Sequence, residues 1–409
     1  MVRGWLDRAG PPAGVAILLL QWGVLRLLLD HEQLAPSTIA ASAGLAIFGA
    51  AFALSWAAEA AQHDIPPALS LAFLALIAVL PEYAVDLYFA WEAGKDPVYV
   101  QYATANMTGA NRILIGFGWP MVVAAFFFRA RKRVLVLQRQ QGIEMYFLLV
   151  ATAYSFVIPW KGTLTVWDSA VLVTLFIVYI VAASRFGHEE PELVGTAERI
   201  GRLADGPRRV ITILLFVIAG AAILSAAEPF AEALLDIGER FGIDEFLLVQ
   251  WLAPLASESP EFIVAIIFAL RLKANAGFSA LLSSKVNQWT LLIGTLPIAY
   301  SLSSGTVAAM HLDERQVHEV LLTSAQSLFA IVLLVDLRFG LLDAVLLFTL
   351  FTIQLAWPDP FVRMVFVGIY LGLSVVLVAF DADRRRALVR LLRTRPFASE
   401  RSKPPVVNL

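Results

Sequence analysis

The chain has 409 residues, 59% hydrophobic and 16% charged, with a formal charge of −2 and a mean hydropathy of +0.74. Soluble domains carry about 25% charged and 45–50% apolar residues, so this apolar surplus must face lipid. The absence of cysteine excludes disulfides, thiolate metal sites and cysteine nucleophiles, and basic residues gathered in clusters give no nucleic-acid face.

Crossing the hydrocarbon takes about 20 apolar residues as helix. Segments 14–30, 38–60, 67–91, 98–128, 143–160, 165–184, 209–236, 244–270, 274–301, 316–335, 338–356 and 361–380 meet that requirement. The first follows Arg3 and Arg8 with no small-residue cleavage site after it, and is expected to be a retained helix rather than a signal peptide. Basic residues favour the cytoplasmic side. With both termini cytoplasmic, twelve spans place Arg129–Arg133, the Arg185–Arg209 segment, Arg271 with Lys273, and Arg384–Arg386 all on that side. The fold class expected is an all-α integral membrane protein of about 12 transmembrane helices in the plasma (inner) membrane. The polar stretch 185–208, with Glu189, Glu190, Glu192 and Glu198 among arginines, is expected to be a solvated linker.

Residues 44–120 and 220–297 read alike. Leu80-Pro81-Glu82-Tyr83-Ala84-Val85-Asp86 in one matches Ser259-Pro260-Glu261-Phe262-Ile263-Val264-Ala265 in the other. Each continues to an Ile-Gly pair and a proline, Ile115-Gly116 with Pro120 and Ile293-Gly294 with Pro297, at Glu-to-Gly intervals of 34 and 33 residues. Upstream of the Pro-Glu motif each copy also has a helix ending in acidic residues, Glu59 in one and Glu228 with Glu232 in the other. Spans 67–91 and 244–270 run in opposite directions, so the copies are expected to be inverted repeats, an arrangement that places a binding site at mid-membrane. The boundaries expected are an extra helix in 1–37, a first five-helix repeat in 38–184, the linker 185–208, a second five-helix repeat in 209–356, and an extra helix with a basic tail in 357–409. Mid-helix prolines would free the carbonyls of Ile77 and Ala256.

Glu82 and Glu261 lie well inside apolar spans, where carboxylates are costly and face a cavity or a partner. Asp86 lies one turn after Glu82, and Glu258 three residues before Glu261, on the same helix faces. Four carboxylates would converge if the two helices cross. Such oxygen-rich clusters suit hard cations, and like charges crowded together exchange protons readily. Thr104, Asn106, Thr108, Asn111 and Arg112 in the next span, and Ser283, Ser284, Lys285, Asn287 and Gln288 in its counterpart, suggest an ion path. Arg112 and Lys285 are candidates to compensate the carboxylates or stand in for a cation. His31, His63, His188, His311 and His318 lie near span ends or in loops with no metal-site spacing.

These motifs resemble the sodium/calcium exchanger family of the cation/calcium antiporter superfamily. That family has two inverted five-helix repeats, each carrying Gly-Thr-Ser-x-Pro-Glu and then Gly-Ser-Asn-x-x-Asn/Asp. The counterparts here are Ala78-Val79-Leu80-Pro81-Glu82 with Ser257-Glu258-Ser259-Pro260-Glu261, and Ser283-Ser284-Lys285-Val286-Asn287-Gln288. The resemblance implies that Glu82 and Glu261 are the central cation ligands, with Ser257 and Ser284 as supporting oxygens. In the first repeat the family's hydroxyl position falls on Ala105, or on Asn106 with one residue inserted, and Gln288 takes the acidic or amide position of the second. Ala78 and Val79 replace the Thr-Ser pair, Glu258 replaces a serine, and Lys285 has no place in the calcium-selective pattern.

The resemblance implies a secondary active antiporter working by alternating access, with calcium and sodium as first substrates and the bilayer as partner. Proton-coupled exchange of sodium or another cation is the alternative. A cation channel or a non-transporting scaffold is less favoured. No nucleophile–base pair or phosphate-cradling glycine loop points to an enzyme, and no cofactor is expected.

Overall fold

The computed structural model describes residues 2–28, 34–65, 77, 79–185, 193 and 195–393, with side chains from residue 10 onward. In chain order the helices are α1 (Val2–Leu28), α2 (Pro36–Ala61), α3 (Leu80–Lys95), α4 (Val100–Ile113), α5 (Trp119–Ala130), α6 (Gly142–Ser155), α7 (Val157–Lys161) and α8 (Val166–Ala183). There follow α9 (Thr196–Gly201), α10 (Asp205–Phe241), α11 (Glu245–Leu270), α12 (Ala274–Asn287), α13 (Ile293–Ser304), α14 (Glu314–Leu334), α15 (Leu341–Ala356), α16 (Pro360–Phe380) and α17 (Ala382–Leu392). Among the described residues, nine helical stretches are long and apolar enough to cross a membrane, and α15 is a shorter apolar helix.

The helix ends follow from local chemistry. Pro36, Pro81 and Pro360 sit in first turns, where a missing N–H costs nothing. The Asp359 carboxylate accepts from the amides of Phe361 and Val362, and Asp313 accepts from Gln316. Gly162, Gly242 and Gly305 close α7, α10 and α13 in the left-handed conformation that glycine adopts without penalty.

Within the bilayer there is no hydrophobic drive between helices, so close approach of small residues holds them. Ala43, Ala46, Ala50, Ala53, Ala57 and Ala60 recur on the buried side of α2, which lies along α10. Helix α3 packs on α13, and α4 and α5 pack on α11, so each Pro-Glu helix lies against helices of the opposite half. The tightest crossing is at Gly109, where a β-carbon would fall 1.8 Å from the Gln250 carbonyl oxygen. Two antiparallel strand pairs tie the ends together: Val134–Val136 (β1) with Arg338–Gly340 (β4), and Thr163–Leu164 (β2) with Met310–His311 (β3).

Two expectations change. Pro81 is not in the interior of α3 but in its first turn, since α3 begins at Leu80, and Tyr83 donates its amide to the Val79 carbonyl. Most of the segment before it, 66–76 and residue 78, lies outside the described residues, as do His31, His188 and the linker acids Glu189, Glu190 and Glu192. Pro260 does lie inside α11. The described part of the linker is not simply solvated: Ala197 and Ile200 of α9 are buried against α2. Asp64, just past α2, pairs with Arg208 and Arg209 at the start of α10.

Candidate functional site

Helices α3, α4, α11 and α12 bring the polar residues of both halves to one buried region. The α12-to-α13 junction is a π-helical turn over Gln288–Leu292, and the corresponding stretch after α4 is another over Leu114–Gly118. Such wide turns re-aim side chains and recur at functional sites. Here the turn begins at Gln288, whose amide nitrogen donates to Glu82 Oε2 at 2.9 Å and to Glu258 Oε1 at 2.8 Å. One amide group thus bridges carboxylates from the two halves. Asp86 accepts from the Asn106 amide at 2.9 Å, and the Tyr83 hydroxyl donates to Asn287 Oδ1 at 2.7 Å, a second link between α3 and α12.

Electrostatic coupling runs through the whole group. Glu82 feels Glu258, Asp86 and Glu261; Glu258 feels Glu261 and Asp86. Of the two motif glutamates, Glu82 is buried, whereas Glu261 is partly exposed beside Ser284. The acid sharing a hydrogen-bond donor with Glu82 is therefore Glu258, not its sequence counterpart.

Lys285 is 0% exposed. Its ammonium donates to Asn111 Oδ1, lies 4.2 Å from the centre of the Trp289 ring, and feels Glu258 and Glu82. Ser257 turns its hydroxyl back to the Ala253 and Pro254 carbonyls at 3.2 and 3.3 Å.

Acceptors outnumber donors in this region. Glu82 Oε1, Asp86 Oδ2, Glu258 Oε2, Asn106 Oδ1 and Gln288 Oε1 are all buried and find no hydrogen-bond partner among the described residues. Buried polar atoms are nearly always partnered, so five orphaned oxygens in one place need an explanation. Yet no three His, Cys, Asp or Glu side chains among the described residues stand close enough to hold a metal together. The oxygens are assembled but not closed around a point.

Arg112 is not brought to these carboxylates. It pairs at 2.7 Å with Glu319 of α14, which also takes Arg363 of α16 at 3.2 Å and the Gln250 amide at 3.0 Å. Arg112 also stacks 4.9 Å from the centre of the Trp251 ring. The sequence reading passed over Glu319, Arg363 and Gln250. Glu319 and Arg363 lie close to span ends and look interfacial, and only the rule that intramembrane charges need a named partner would have singled them out, whereas Gln250 is a neutral amide that rule does not reach.

A family model described as "Sodium/calcium exchanger protein" matches residues 35–185 and 211–358. The chain belongs to the sodium/calcium exchanger protein family. Its structure is similar to the crystal structure of the H+/Ca2+ exchanger CAX, with a TM-score of 0.88 and 45% identity over 93% of this chain and 95% of that one. It shares a fold with the sodium-calcium exchanger NCX_Mj (TM-score 0.54, 18% identity, 78% and 98% covered). The same holds for the Ca2+/H+ antiporter protein YfkE (TM-score 0.61, 14% identity, 87% and 98% covered). No match is found among curated proteins. The extra α16 lies beyond the matched residues, yet it supplies Arg363 to the Glu319 cluster. Membership places this chain among membrane cation/calcium antiporters, which move ions rather than transform them chemically.

Proposed function

We propose that this chain exchanges calcium for protons across the plasma membrane by alternating access, at a site formed by Glu82, Asp86, Glu258 and Glu261 with Asn106, Ser284 and Gln288. The observation that carries the reading is the set of orphaned buried oxygens around the Gln288 bridge. A carboxamide that donates both its hydrogens to two carboxylates does what a bound cation would do between them. Hard cations take oxygen ligands, and calcium gathers 6–8 of them at about 2.3–2.6 Å. Withdrawal of the Gln288 N–H groups would let Glu82 and Glu258 close on the ion, with Gln288 Oε1 turned inward as a further ligand.

Carboxylates emptied of their ion cannot cross an occluded state as bare charges, because unpaired buried charge is too costly. Protons taken up in exchange meet that requirement without a second ion site. The 45% identity to an H+/Ca2+ exchanger supports the same coupling. Sodium coupling is the second reading, favoured by the family's name and by the first resemblance of the motifs.

The reciprocal packing of α3 on α13 and of α4 and α5 on α11 supports two inverted halves, 38–184 and 209–356, with 185–208 joining them. Sliding of the small-residue pair α2 and α10 across the site would expose it to each side in turn. The pairing of Asp64 with Arg208 and Arg209 joins the α2 exit to a basic segment, which supports cytoplasmic termini. The test is flux in proteoliposomes with calcium, sodium and pH gradients imposed independently. Calcium uptake driven by a pH gradient without sodium is expected. Calcium flux that follows a sodium gradient and ignores pH would overturn the proton reading, and calcium flux with neither counter-gradient would indicate a channel.

A further inference from the structure

Helix α1 lies before the residues that match the exchanger family, yet it is bonded to both α2 and α10. One face of α1 is plainly lipid-like, with Ile17, Leu20 and Leu27 between 65% and 83% exposed. Val15, Trp22 and Leu25 are buried on the other, which packs along α2 and reaches α10. Polar side chains make the attachment specific. The Gln21 amide donates to the Ser42 carbonyl of α2 at 2.8 Å and to the Leu18 carbonyl of its own helix at 2.9 Å, and its oxygen accepts from the Ser42 hydroxyl. The next residue serves the other helix: Trp22 Nε1 donates to Ser225 Oγ of α10 at 3.0 Å. In lipid such side chains bond across helices, because the alternative is an unpaired polar group in hydrocarbon. The approach is also close, since a β-carbon on Gly49 of α2 would stand 2.9 Å from Leu18 Cβ.

The apolar packing draws a similar boundary. One cluster of buried residues takes its members from α1, α2, α9 and α10, among them Val15, Ala50, Leu54, Ile200, Ala219 and Ile223. Trp22 and Leu25 belong to the main core, as do Ala43 and Ala226 of the same α2 and α10. Helices that share a core and hydrogen bonds of their own shift as a body, because packed interiors do not deform continuously.

We propose that α1 is a member of the moving unit: it travels with α2 and α10 as one rigid body during exchange and keeps the two in register, with Gln21 and Trp22 as its attachments. The inference rests on the alternating-access reading in which α2 and α10 slide across the site. A contact kept through every state favours none of them. The Gln21 and Trp22 bonds therefore hold the pair together without biasing it toward either side of the membrane.

The chain has no cysteine, so introduced pairs supply all the thiols. Leu18→Cys with Gly49→Cys ties α1 to α2 through a disulfide, for which β-carbons about 3.8 Å apart are usual. Gln21→Cys with Ser42→Cys is a second pair across the same interface. Tyr88→Cys with Glu232→Cys, joined by a bifunctional thiol reagent, ties α3 to α10, where the Tyr88 hydroxyl meets Glu232. Calcium uptake into proteoliposomes under combined pH and sodium gradients is read for each variant before and after linking, so that the unlinked protein reports its own folding. The α1–α2 links should leave uptake unchanged, and the α3–α10 link should abolish it. Spin labels on Ile17 and Leu45 of α2 should keep their separation between calcium-loaded protein at high pH and calcium-free protein at low pH. Labels on Ile17 and Val345 of α15 should shift by about 5 Å, one helical turn. Loss of uptake on linking α1 to α2, a changed Ile17–Leu45 separation or an unchanged Ile17–Val345 separation would overturn the proposal while the α3–α10 result leaves sliding intact. Uptake that survives the α3–α10 link would remove the sliding step itself, and the proposal with it.

Discussion

Replacing Glu319 by glutamine should be the most damaging single change outside the carboxylate region. Its carboxylate holds Arg112 at 2.7 Å and Arg363 at 3.2 Å, and the side chains of all three residues are at most 7% exposed. Two guanidiniums already share one carboxylate, and Arg112 Nε and Arg363 Nε are buried without acceptors among the described residues. Glutamine keeps the volume but strands both cations. Removing one partner of a buried ion pair costs about 3–5 kcal/mol, since the remaining charge stays desolvated. At roughly 2 °C per kcal/mol for a chain of this size, melting should fall by about 6–10 °C. The assay is a detergent melt followed by tryptophan fluorescence, for which Trp251, under the Arg112 guanidinium, is a local reporter. Adding Arg112→Gln to Glu319→Gln removes one stranded charge and should recover part of the loss. A Glu319→Gln protein that melts within about 2 °C of the parent would refute the reasoning, because the arginines would then be solvated by something other than Glu319.

Glu82→Gln and Glu261→Gln should each lower exchange by about tenfold or more, equivalent to at least about 1.4 kcal/mol, while elution and melting stay near the parent; robust flux from either variant would remove the carboxylates from the ion's path. Gly109→Ala should cost more than the usual ~1–3 kcal/mol of overpacking, because the new β-carbon would meet a backbone oxygen at 1.8 Å, whereas Gly206→Ala has open space and should leave melting unchanged or raised. Arg208 above all, and then Arg209, hold the Asp64 carboxyl down to about 2. A depressed carboxylate stabilises at pH above its unfolded value near 3.9 and loses that contribution only as pH falls through the folded value, so the α2–α10 tie should persist across the working pH range. Asp64→Asn should abolish it at every pH, read as faster proteolysis after Arg202.

The amino-acid sequence by itself determined that this is a helical membrane protein and where its expensive residues lie. Apolar runs of span length have no other stable environment, and an acid inside such a run announces itself against a background that excludes it. That logic found Glu82, Asp86, Glu258, Glu261 and Lys285, and the repeated Pro-Glu and Ile-Gly spacing identified the family. It did not show partners, because pairing depends on which helix faces cross. Only the tertiary structure decided that Gln288 bridges Glu82 to Glu258, that Tyr83 meets Asn287, and that Arg112 turns away to Glu319. Arg112 and Asn111 are neighbours in sequence but point about 100° apart around a helix, so one serves Glu319 and the other Lys285. Residue type is a local property, whereas the direction of a side chain and the charge it meets are set by how helices distant in sequence pack.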